Sequence, residues 1–385
     1  MKKIFKMGVV MLVVMMSLFG CNNSTEDTQT IKIGSNFELT GAVAEYGIVQ
    51  AESVALAVEQ ANASGEFDMP IEIVRLDNKS DETETVTVAT QLVESGVVGI
   101  VGPAVSGLTA TSFQVVDSMD RKVPVISPSA TADGATQRVD GSVYEHGFRA
   151  CFLDSYQGTA MAVFAYDNLD AKKVVIISDS SSDYAKGLTE NFKTKFTSLG
   201  GEIVGSESYV AGDQDFNTIL TRIKDKEFDA IYIPGYYNEV GLIIKQARDL
   251  GIDSVILGPD GFDSPNLVGL ATAEALNNVY FTTAYTTVTD DADVKAFVES
   301  YKAKYNKEPN MFAALAYDAT NLLLEAIKQA GSTDPEAVSA ALANIEDFKG
   351  VTGTISFDEL HNPVKSVLVV ELVDGVQTSS VEVNP

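Results

Sequence analysis

The sequence VVGIVGPAVSG, residues 97–107, joins a wholly apolar run to a turn containing glycine and proline and then to a serine. A short apolar run bounded by turn residues is typical of a strand buried on both faces of a sheet. The glycines lack the G-x-G-x-x-G spacing of a dinucleotide-binding loop, which favours a buried strand before a helix that starts near Ser106. A buried strand followed by a helix is the repeating unit of a parallel α/β sheet.

The same unit recurs along the chain in two series. The first series has further apolar strands at 31–34, 71–74 and 123–127, with helices at 48–63 and 82–94. The second has three apolar strands, each followed by a turn and an amphipathic helix, at 174–177, 230–233 and 255–257. Two series predict an α/β protein with two Rossmann-like lobes, each a parallel sheet flanked by helices and joined by right-handed crossovers.

Later segments predict that the chain crosses between the lobes more than once. The first series ends near residues 149–154, and the remaining elements are a strand at 278–282, helices at 292–305 and 311–330, and strand-like segments at 353–357 and 366–373. A length of 385 residues also favours two domains. We predict that lobe 1 comprises 31–152 plus 283–353 and lobe 2 comprises 153–282 plus 354–385, with several hinge strands between them.

The N-terminal segment has the features of a signal peptide. Lys2, Lys3 and Lys6 precede an apolar stretch at 7–19, which is shorter than the about 20 residues that span a bilayer. The sequence LFGC at 18–21 resembles the bacterial lipobox, in which cleavage precedes a lipid-modified cysteine; a free signal-peptide cysteine is the alternative. We predict a signal peptide at 1–20, a lipidated polar tether at 21–30 beginning with Cys21, and an extracytoplasmic protein anchored to the cell membrane.

Charge and composition exclude several classes of partner. The chain has 27 Lys and Arg residues against 54 Asp and Glu, a formal net charge of −27. This field repels phosphate backbones and anionic lipid, so neither nucleic acid nor a polybasic membrane contact is expected. Two Cys and two His residues rule out a disulfide framework or a His/Cys zinc cluster. Cys151 is predicted to be a buried, unpaired thiol.

Catalytic motifs are not found. The chain has no P-loop, no G-x-S-x-G nucleophile elbow and no H-E-x-x-H zinc motif, and His146 and His361 stand alone. We therefore predict a protein that is not an enzyme and that needs no cofactor or metal.

Polar residues follow the predicted strands where parallel sheets bind their ligands. In the first series, the turns at 102–107 and 127–131 offer hydroxyls and free N–H groups, which suit an anion. In the second series, the segments at 178–184, 234–237 and 258–261 offer aromatic side chains and Asp260. A zwitterionic ligand between the lobes could bind to both sets, with its anionic group on the hydroxyls and N–H groups and its cationic group on Asp260. The alternatives are that the hydroxyls only cap helices, that Asp260 is an exposed turn residue and that the tyrosines lie on lobe surfaces.

From residue 31 to the C-terminal strands the chain resembles the type I periplasmic binding proteins, and specifically the branched-chain amino-acid (leucine/isoleucine/valine) binding proteins of ABC transporters. The resemblance rests on the order and spacing of six stretches: LTGAVAEYG at 39–47, the turns at 102–107 and 127–131, LDSYQG at 153–158, SDYAKG at 182–187 and GPDG at 258–261.

The resemblance implies a role for each of eight residues. Ser106 and Thr131 would bind the ligand carboxylate through their hydroxyls, and backbone groups of Ser129 would contact both ends of the ligand. Asp260, where relatives often carry Glu, would bind the ammonium group. Tyr184 and Tyr236 would close over the ligand from lobe 2, while Tyr46 and Phe312 would touch the ligand side chain. Ala104 and Val105 stand where relatives carry larger residues and a disulfide-bonded Cys, which affects side-chain specificity.

The function implied is that of an extracytoplasmic solute-binding lipoprotein of an ABC importer, which closes over an aliphatic amino acid and delivers it to a permease. Another small solute, such as an amide, urea or an aromatic acid, is an alternative ligand. A sensory module that passes occupancy to a receptor is an alternative of another class, while a hydrolase is disfavoured by the missing nucleophile and base.

Overall fold

The computed structural model describes residues 29–383. The signal peptide predicted at 1–20, the lipidated Cys21 and most of the tether predicted at 21–30 therefore lie outside the described residues.

The first sheet has five parallel strands in the order β2-β1-β3-β4-β5. Apolar side chains fill its interior, and the three residues of β3 are all buried. The strands are β1 (Ile31–Phe37), β2 (Ile71–Asp77), β3 (Gly99–Val101), β4 (Val125–Ser127) and β5 (Gly147–Arg149).

Helices cover both faces of this sheet, and we call the whole unit lobe 1. Successive strand residues point to opposite faces. Ile100 accordingly packs with side chains of α2 and α3, whereas Val101 packs in the cluster that contains α1 and α10. The helices of lobe 1 are α1 (Ala44–Ser64), α2 (Glu82–Glu94), α3 (Ser106–Ser118), α9 (Ala292–Tyr305), α10 (Met311–Ala330) and α11 (Pro335–Ala343).

The second sheet has seven strands in the order β14-β13-β10-β9-β8-β6-β7 and, with its helices, forms lobe 2. Strands β6 to β10 are parallel, and β13 and β14 add an antiparallel edge. The strands are β6 (Lys173–Asp179), β7 (Glu202–Tyr209), β8 (Ala230–Tyr232), β9 (Val255–Gly258), β10 (Val279–Thr283), β13 (Val367–Val373) and β14 (Val376–Val383). The helices are α4 (Asp154–Val163), α5 (Asp183–Ser198), α6 (Asn217–Lys224), α7 (Tyr237–Asp249) and α8 (Pro265–Ala271).

Three segments connect the two lobes: 150–153, 284–291 and 356–366. The last follows a two-stranded hairpin of β11 (Phe348–Gly350) and β12 (Gly353–Ile355). Asp318 on α10 holds this hairpin, because its carboxylate accepts hydrogen bonds from the N–H groups of Val351 and Thr352, both at 2.8 Å. The exact lobe boundaries given above stay a prediction.

The two-lobe α/β fold is confirmed, but four strands, β5, β7, β11 and β14, are not apparent from the sequence. β5 and β11 have only three residues each, while β7 and β14 lie at sheet edges and expose polar residues, so these strands lack the apolar runs that indicate buried strands. The predicted strand at 353–357 is shorter and pairs with β11 instead of joining either large sheet. Across 29–383, no helix combines the length and apolarity needed to cross a bilayer.

Candidate functional site

A small cavity lies between the lobes, with a volume of about 220 Å³ when its opening to solvent is included. It sits beyond the carboxyl ends of β3 and β4 in lobe 1 and of β8 and β9 in lobe 2. The structure brings all eight predicted site residues to its wall: Tyr46, Ser106, Ser129, Thr131, Tyr184, Tyr236, Asp260 and Phe312, together with Ala104, Val105 and Gly261. Their roles toward a ligand stay a prediction.

The turn after β3 presents the Ser106 hydroxyl at the start of α3. Gly102 opens this turn with φ 104°, and a Cβ there would lie 2.0 Å from the Asn36 carbonyl oxygen, so the position requires glycine. The Ser106 Oγ accepts a hydrogen bond from the Ala132 N–H at 3.2 Å. Its own O–H therefore remains available as a donor to a molecule in the cavity.

A buried carboxylate supports the same turn from behind. Glu38 is fully buried and accepts hydrogen bonds from the N–H groups of Ala104 and Val105 at 3.1 and 3.2 Å. Burial raises the pKa of Glu38 to about 7, although these hydrogen bonds oppose the shift. Glu38 holds the backbone just before Ser106 and does not line the cavity.

The turn after β4 presents Thr131. The Thr131 Oγ1 is buried next to the Asp154 carboxyl group, which it helps to keep ionised, but within the described residues it forms no hydrogen bond of good geometry. The Ser129 Oγ, in contrast, accepts from Gln50 Nε2 at 2.6 Å and donates to the Ala104 carbonyl oxygen at 2.8 Å. Its hydroxyl is thus already engaged, which leaves only its backbone groups for any contact with a ligand.

Lobe 2 places a buried carboxylate on the cavity wall. Asp260 is 2% exposed, and its Oδ1 accepts from Tyr184 Oη at 2.6 Å and from Gln157 Nε2 at 3.0 Å. Burial raises the pKa of Asp260 to about 6 despite both hydrogen bonds. Within 29–383 this carboxylate forms no salt bridge. The alternative of an exposed turn residue is therefore wrong, and the group lacks a cationic partner in the protein.

Aromatic rings close the remaining sides. Tyr184, in the first turn of α5, stacks on Tyr236 with ring centres 4.9 Å apart. Tyr46 on α1 packs against Phe312 in the first turn of α10 with ring centres 4.3 Å apart. Tyr184 is buried and Tyr236 is partly buried, so the alternative of lobe-surface aromatics is wrong for both.

One of these rings also joins the lobes. The Tyr46 O–H of lobe 1 donates to the Gly261 carbonyl oxygen of lobe 2 at 2.5 Å and accepts from the Tyr237 N–H at 3.3 Å. Asn310, which caps α10, donates through Nδ2 to the Asp263 carbonyl oxygen of lobe 2 at 2.9 Å. The lobes are therefore closed over the cavity.

Gln157 is a functional residue that the sequence analysis did not assign. Its Nε2 donates to Asp154 Oδ1 at 2.9 Å and to Asp260 Oδ1 at 3.0 Å. Its Oε1 accepts from Thr282 Oγ1 at 2.7 Å and from the Asp260 N–H at 3.2 Å. The amide thereby fixes Asp260. Burial, followed by the charge of Asp260, raises the pKa of Asp154. The sequence signal for Gln157 is its spacing from Asp154: the two polar residues lie three positions apart at the start of α4, on the same helix face.

The two histidines do not contribute. His146 lies against Ser339, and His361 stacks on Phe148; neither lines the cavity. Cys151 is buried and unpaired, as predicted, and burial raises its pKa to about 12. In the part of the chain that the structure describes, no group of three or more His, Cys, Asp or Glu side chains is placed to hold a metal ion.

Comparison with known proteins shows a matching family model and several similar sequences. The family model described as "Periplasmic binding protein" matches residues 30–377. The leucine-, isoleucine-, valine-, threonine- and alanine-binding protein of Pseudomonas aeruginosa is 30% identical over 345 residues, which are 89% of this chain and 90% of that protein. The Leu/Ile/Val-binding protein BraC3 of Rhizobium johnstonii is 31% identical over 86% of this chain and 88% of its own.

Two solved structures share the fold over their whole length. The branched-chain amino-acid transporter substrate-binding protein LivJ of Streptococcus pneumoniae, in complex with isoleucine, is 44% identical with a TM-score of 0.88, covering 93% of this chain and 100% of its own. The leucine-binding protein LivK of Thermotoga maritima is 36% identical with a TM-score of 0.85, covering 92% and 99%. These relatives bear the names of binding proteins and not of enzymes.

Proposed function

The chain belongs to the periplasmic binding protein family, and from that premise we propose that it is the solute-binding component of an ABC importer. It binds an aliphatic or branched-chain amino acid between its lobes and delivers it to a membrane permease. Its relatives include proteins named for binding leucine, isoleucine and valine, which supports this ligand class.

The observation that carries the proposal is the opposite chemistry of the two cavity walls. Lobe 1 offers the Ser106 and Thr131 hydroxyls, which are donors for a carboxylate, while lobe 2 offers the buried carboxylate of Asp260. A ligand with only an acidic group would leave Asp260 without a cation. An α-amino acid satisfies both walls, with the ammonium pairing worth about 1.5–3 kcal/mol.

The size and the lining of the cavity favour a small aliphatic side chain. The whole space between the walls is only about 220 Å³ even when its opening to solvent is included, so a dinucleotide or a peptide does not fit. Phe312, Ala104 and Val105 supply apolar surface on the lobe 1 side. Burying branched carbon atoms there contributes about 0.8 kcal/mol for each methylene group.

Contacts from both lobes to one ligand provide the mechanism of closure. A ligand shifts the population toward the closed form only through interactions that the open form lacks. Ser106 and Asp260 lie on different lobes, so their simultaneous contacts with the ligand exist only after closure. The closed form is then the state that docks on the permease.

We further propose that Cys21 carries a lipid that anchors the protein on the extracytoplasmic side of the membrane. The lipobox-like LFGC sequence at 18–21 supports this. Metabolic labelling with a radioactive fatty acid tests it: the wild-type protein is expected to be labelled and membrane-bound, and Cys21→Ser unlabelled. Equal membrane retention of both proteins would contradict the anchor.

Two measurements test the ligand. Mass spectrometry of solute released from protein purified after expression in rich medium is expected to identify an aliphatic amino acid. Thermal-shift screening against amino acids, amides, urea and aromatic acids is expected to show stabilisation by branched-chain amino acids, because a ligand that binds only folded protein raises its stability.

Asp260→Ala is expected to stay folded and lose this stabilisation. Unchanged stabilisation of Asp260→Ala would remove Asp260 from the site.

The importer role requires its own test. Deleting the protein is expected to abolish uptake of radiolabelled branched-chain amino acid, and the wild-type chain to restore it. Normal uptake in the deletion strain, with binding intact, would favour the sensory alternative.

A further inference from the structure

Arg149 is a buried cation behind the lobe 1 half of the site. It ends β5 and is fully buried. Its Nη1 donates to the carbonyl oxygens of Ala130 and Ala132 at 2.9 and 2.8 Å, and its Nη2 donates to that of Asp133 at 3.0 Å. The guanidinium thus binds three backbone carbonyl groups of one loop, on both sides of Thr131.

This cation has no ion-pair partner among residues 29–383. Its acceptors are neutral carbonyl oxygens and the Thr136 hydroxyl at 3.5 Å, and its Nε–H has no acceptor there. Burying an unpaired charge is unfavourable. Burial lowers the pKa of Arg149, and the carboxyl groups of Asp154, Asp133 and Asp358, which lie beyond ion-pair distance, oppose that shift.

The direction of one peptide group connects Arg149 to the cavity. The carbonyl of Ala130 and the N–H of Thr131 belong to the same trans peptide, so they point in opposite directions. Because the carbonyl points at the guanidinium, the Thr131 N–H points away from it. Within the described residues that N–H has no acceptor, and Thr131 lines the cavity.

We propose that Arg149 is the positioning residue of the anion half of the site: it fixes the Ala130–Thr131 peptide so that the Thr131 N–H faces a ligand carboxylate, and it supplies the positive charge that this half otherwise lacks. This inference rests on the proposed amino-acid ligand. It explains how hydroxyls and N–H groups alone, with no arginine on the cavity wall, hold an anion.

Arg149→Met tests the proposal, with L-isoleucine and L-isoleucinamide as probes in isothermal titration calorimetry. The amide keeps the ammonium group and the side chain but has no negative charge. We expect Arg149→Met to weaken isoleucine binding on the order of tenfold or more and to weaken isoleucinamide binding much less. Arg149→Lys, which keeps the charge but not the three-carbonyl fork, should fall in between.

Arg248→Met is the matched control. Arg248 is partly buried and also donates to several backbone carbonyls, among them those of Ile252 at 2.7 Å and Asn277 at 3.0 Å, but it lies away from the cavity. We expect this variant to lose thermal stability and to keep its affinity for isoleucine.

The outcomes separate the two hypotheses. If the wild-type protein binds isoleucine and Arg149→Met binds it equally well, or loses isoleucine and isoleucinamide binding by the same factor, the role of Arg149 is refuted while the function stands. If the wild-type protein binds no amino acid, both are refuted. Should Arg149→Met not fold, Arg149→Lys decides, because unchanged isoleucine affinity in that variant refutes the positioning role.

Discussion

The affinity for an amino acid should fall as the pH is lowered through 6. Asp260 must be ionised to pair with an ammonium group, and burial raises its pKa to about 6. At pH 8 almost every molecule carries the carboxylate, whereas at pH 5 only about one in eleven does. The dissociation constant for isoleucine should therefore rise about tenfold from pH 8 to pH 5, with most of the change below pH 6.

The ligand-free protein should respond in the opposite direction. An aspartate in an unfolded chain has a pKa near 3.9, so the folded state binds this proton more tightly. Between about pH 7 and pH 4, protonation of Asp260 therefore adds to the free energy of unfolding as the pH falls. This contribution is measured as the difference between the wild-type protein and Asp260→Asn in urea titrations.

Isothermal titration at pH 5, 6, 7 and 8 measures the affinity change. Asp260→Asn should bind isoleucine more weakly by about 2–5 kcal/mol at pH 8, and its residual affinity should not follow the wild-type profile. Asp318→Asn is the matched control, because burial also raises the pKa of Asp318 but its carboxylate holds the β11–β12 hairpin and does not line the cavity.

Glu38 is a second buried acid near the cavity, and its titration must be distinguished from that of Asp260. Burial raises the pKa of Glu38 to about 7, so Glu38→Gln should change only the part of the profile near neutral pH. A wild-type dissociation constant that is constant from pH 5 to pH 8, or a profile that persists in Asp260→Asn, would refute the assignment of Asp260 to the ammonium group.

Three further changes have defined outcomes. Tyr46→Phe removes the hydrogen bond to the Gly261 carbonyl across the cleft and should weaken isoleucine binding about two- to tenfold in calorimetry, with the free energy of unfolding nearly unchanged; equal affinity would show that this bond does not support closure. Gln157→Leu leaves the buried Asp260 carboxylate without its amide donor and should weaken binding at least about tenfold, whereas an unaltered titration would contradict its positioning role. Cys151 should resist an aromatic disulfide reagent in the native protein and react once the chain is unfolded in urea, as peptide mass spectrometry can check; rapid labelling of native protein would contradict its burial.

The sequence predicts those elements and side chains whose positions depend on neighbouring residues in the chain. Ser106 and Asp260 both follow apolar strands, and the carboxyl ends of parallel strands place them at the cleft. β7 and β14 were not predicted, because edge strands expose one face and so lack the apolar run on which the prediction of a buried strand depends. The buried strand β3, in contrast, has such an apolar run and is predicted from the sequence.

The supporting residues could not be predicted, because their partners are remote in the chain. Gln157 binds Asp260 across 103 positions, and Tyr46 reaches Gly261 across 215. A glutamine or an arginine at a helix or strand end is ordinarily solvated, and only the folded chain shows that Gln157 and Arg149 are buried against the two halves of the site.

The buried charge of Asp260 gives the proposed ligand a role in closure. In the closed structure, Arg149 lies behind the lobe 1 wall and Asp260 on the lobe 2 wall, and within the described residues neither forms an ion pair. Closing the lobes on an empty cavity removes water from Asp260 without supplying a cation, which is unfavourable in a medium of low dielectric constant. A zwitterionic ligand presents its carboxylate to the half that Arg149 supports and its ammonium group to Asp260. The carboxylate that destabilises the empty closed state is therefore the one that stabilises the occupied state, so the proposed ligand favours closure by its charge distribution as well as by its shape.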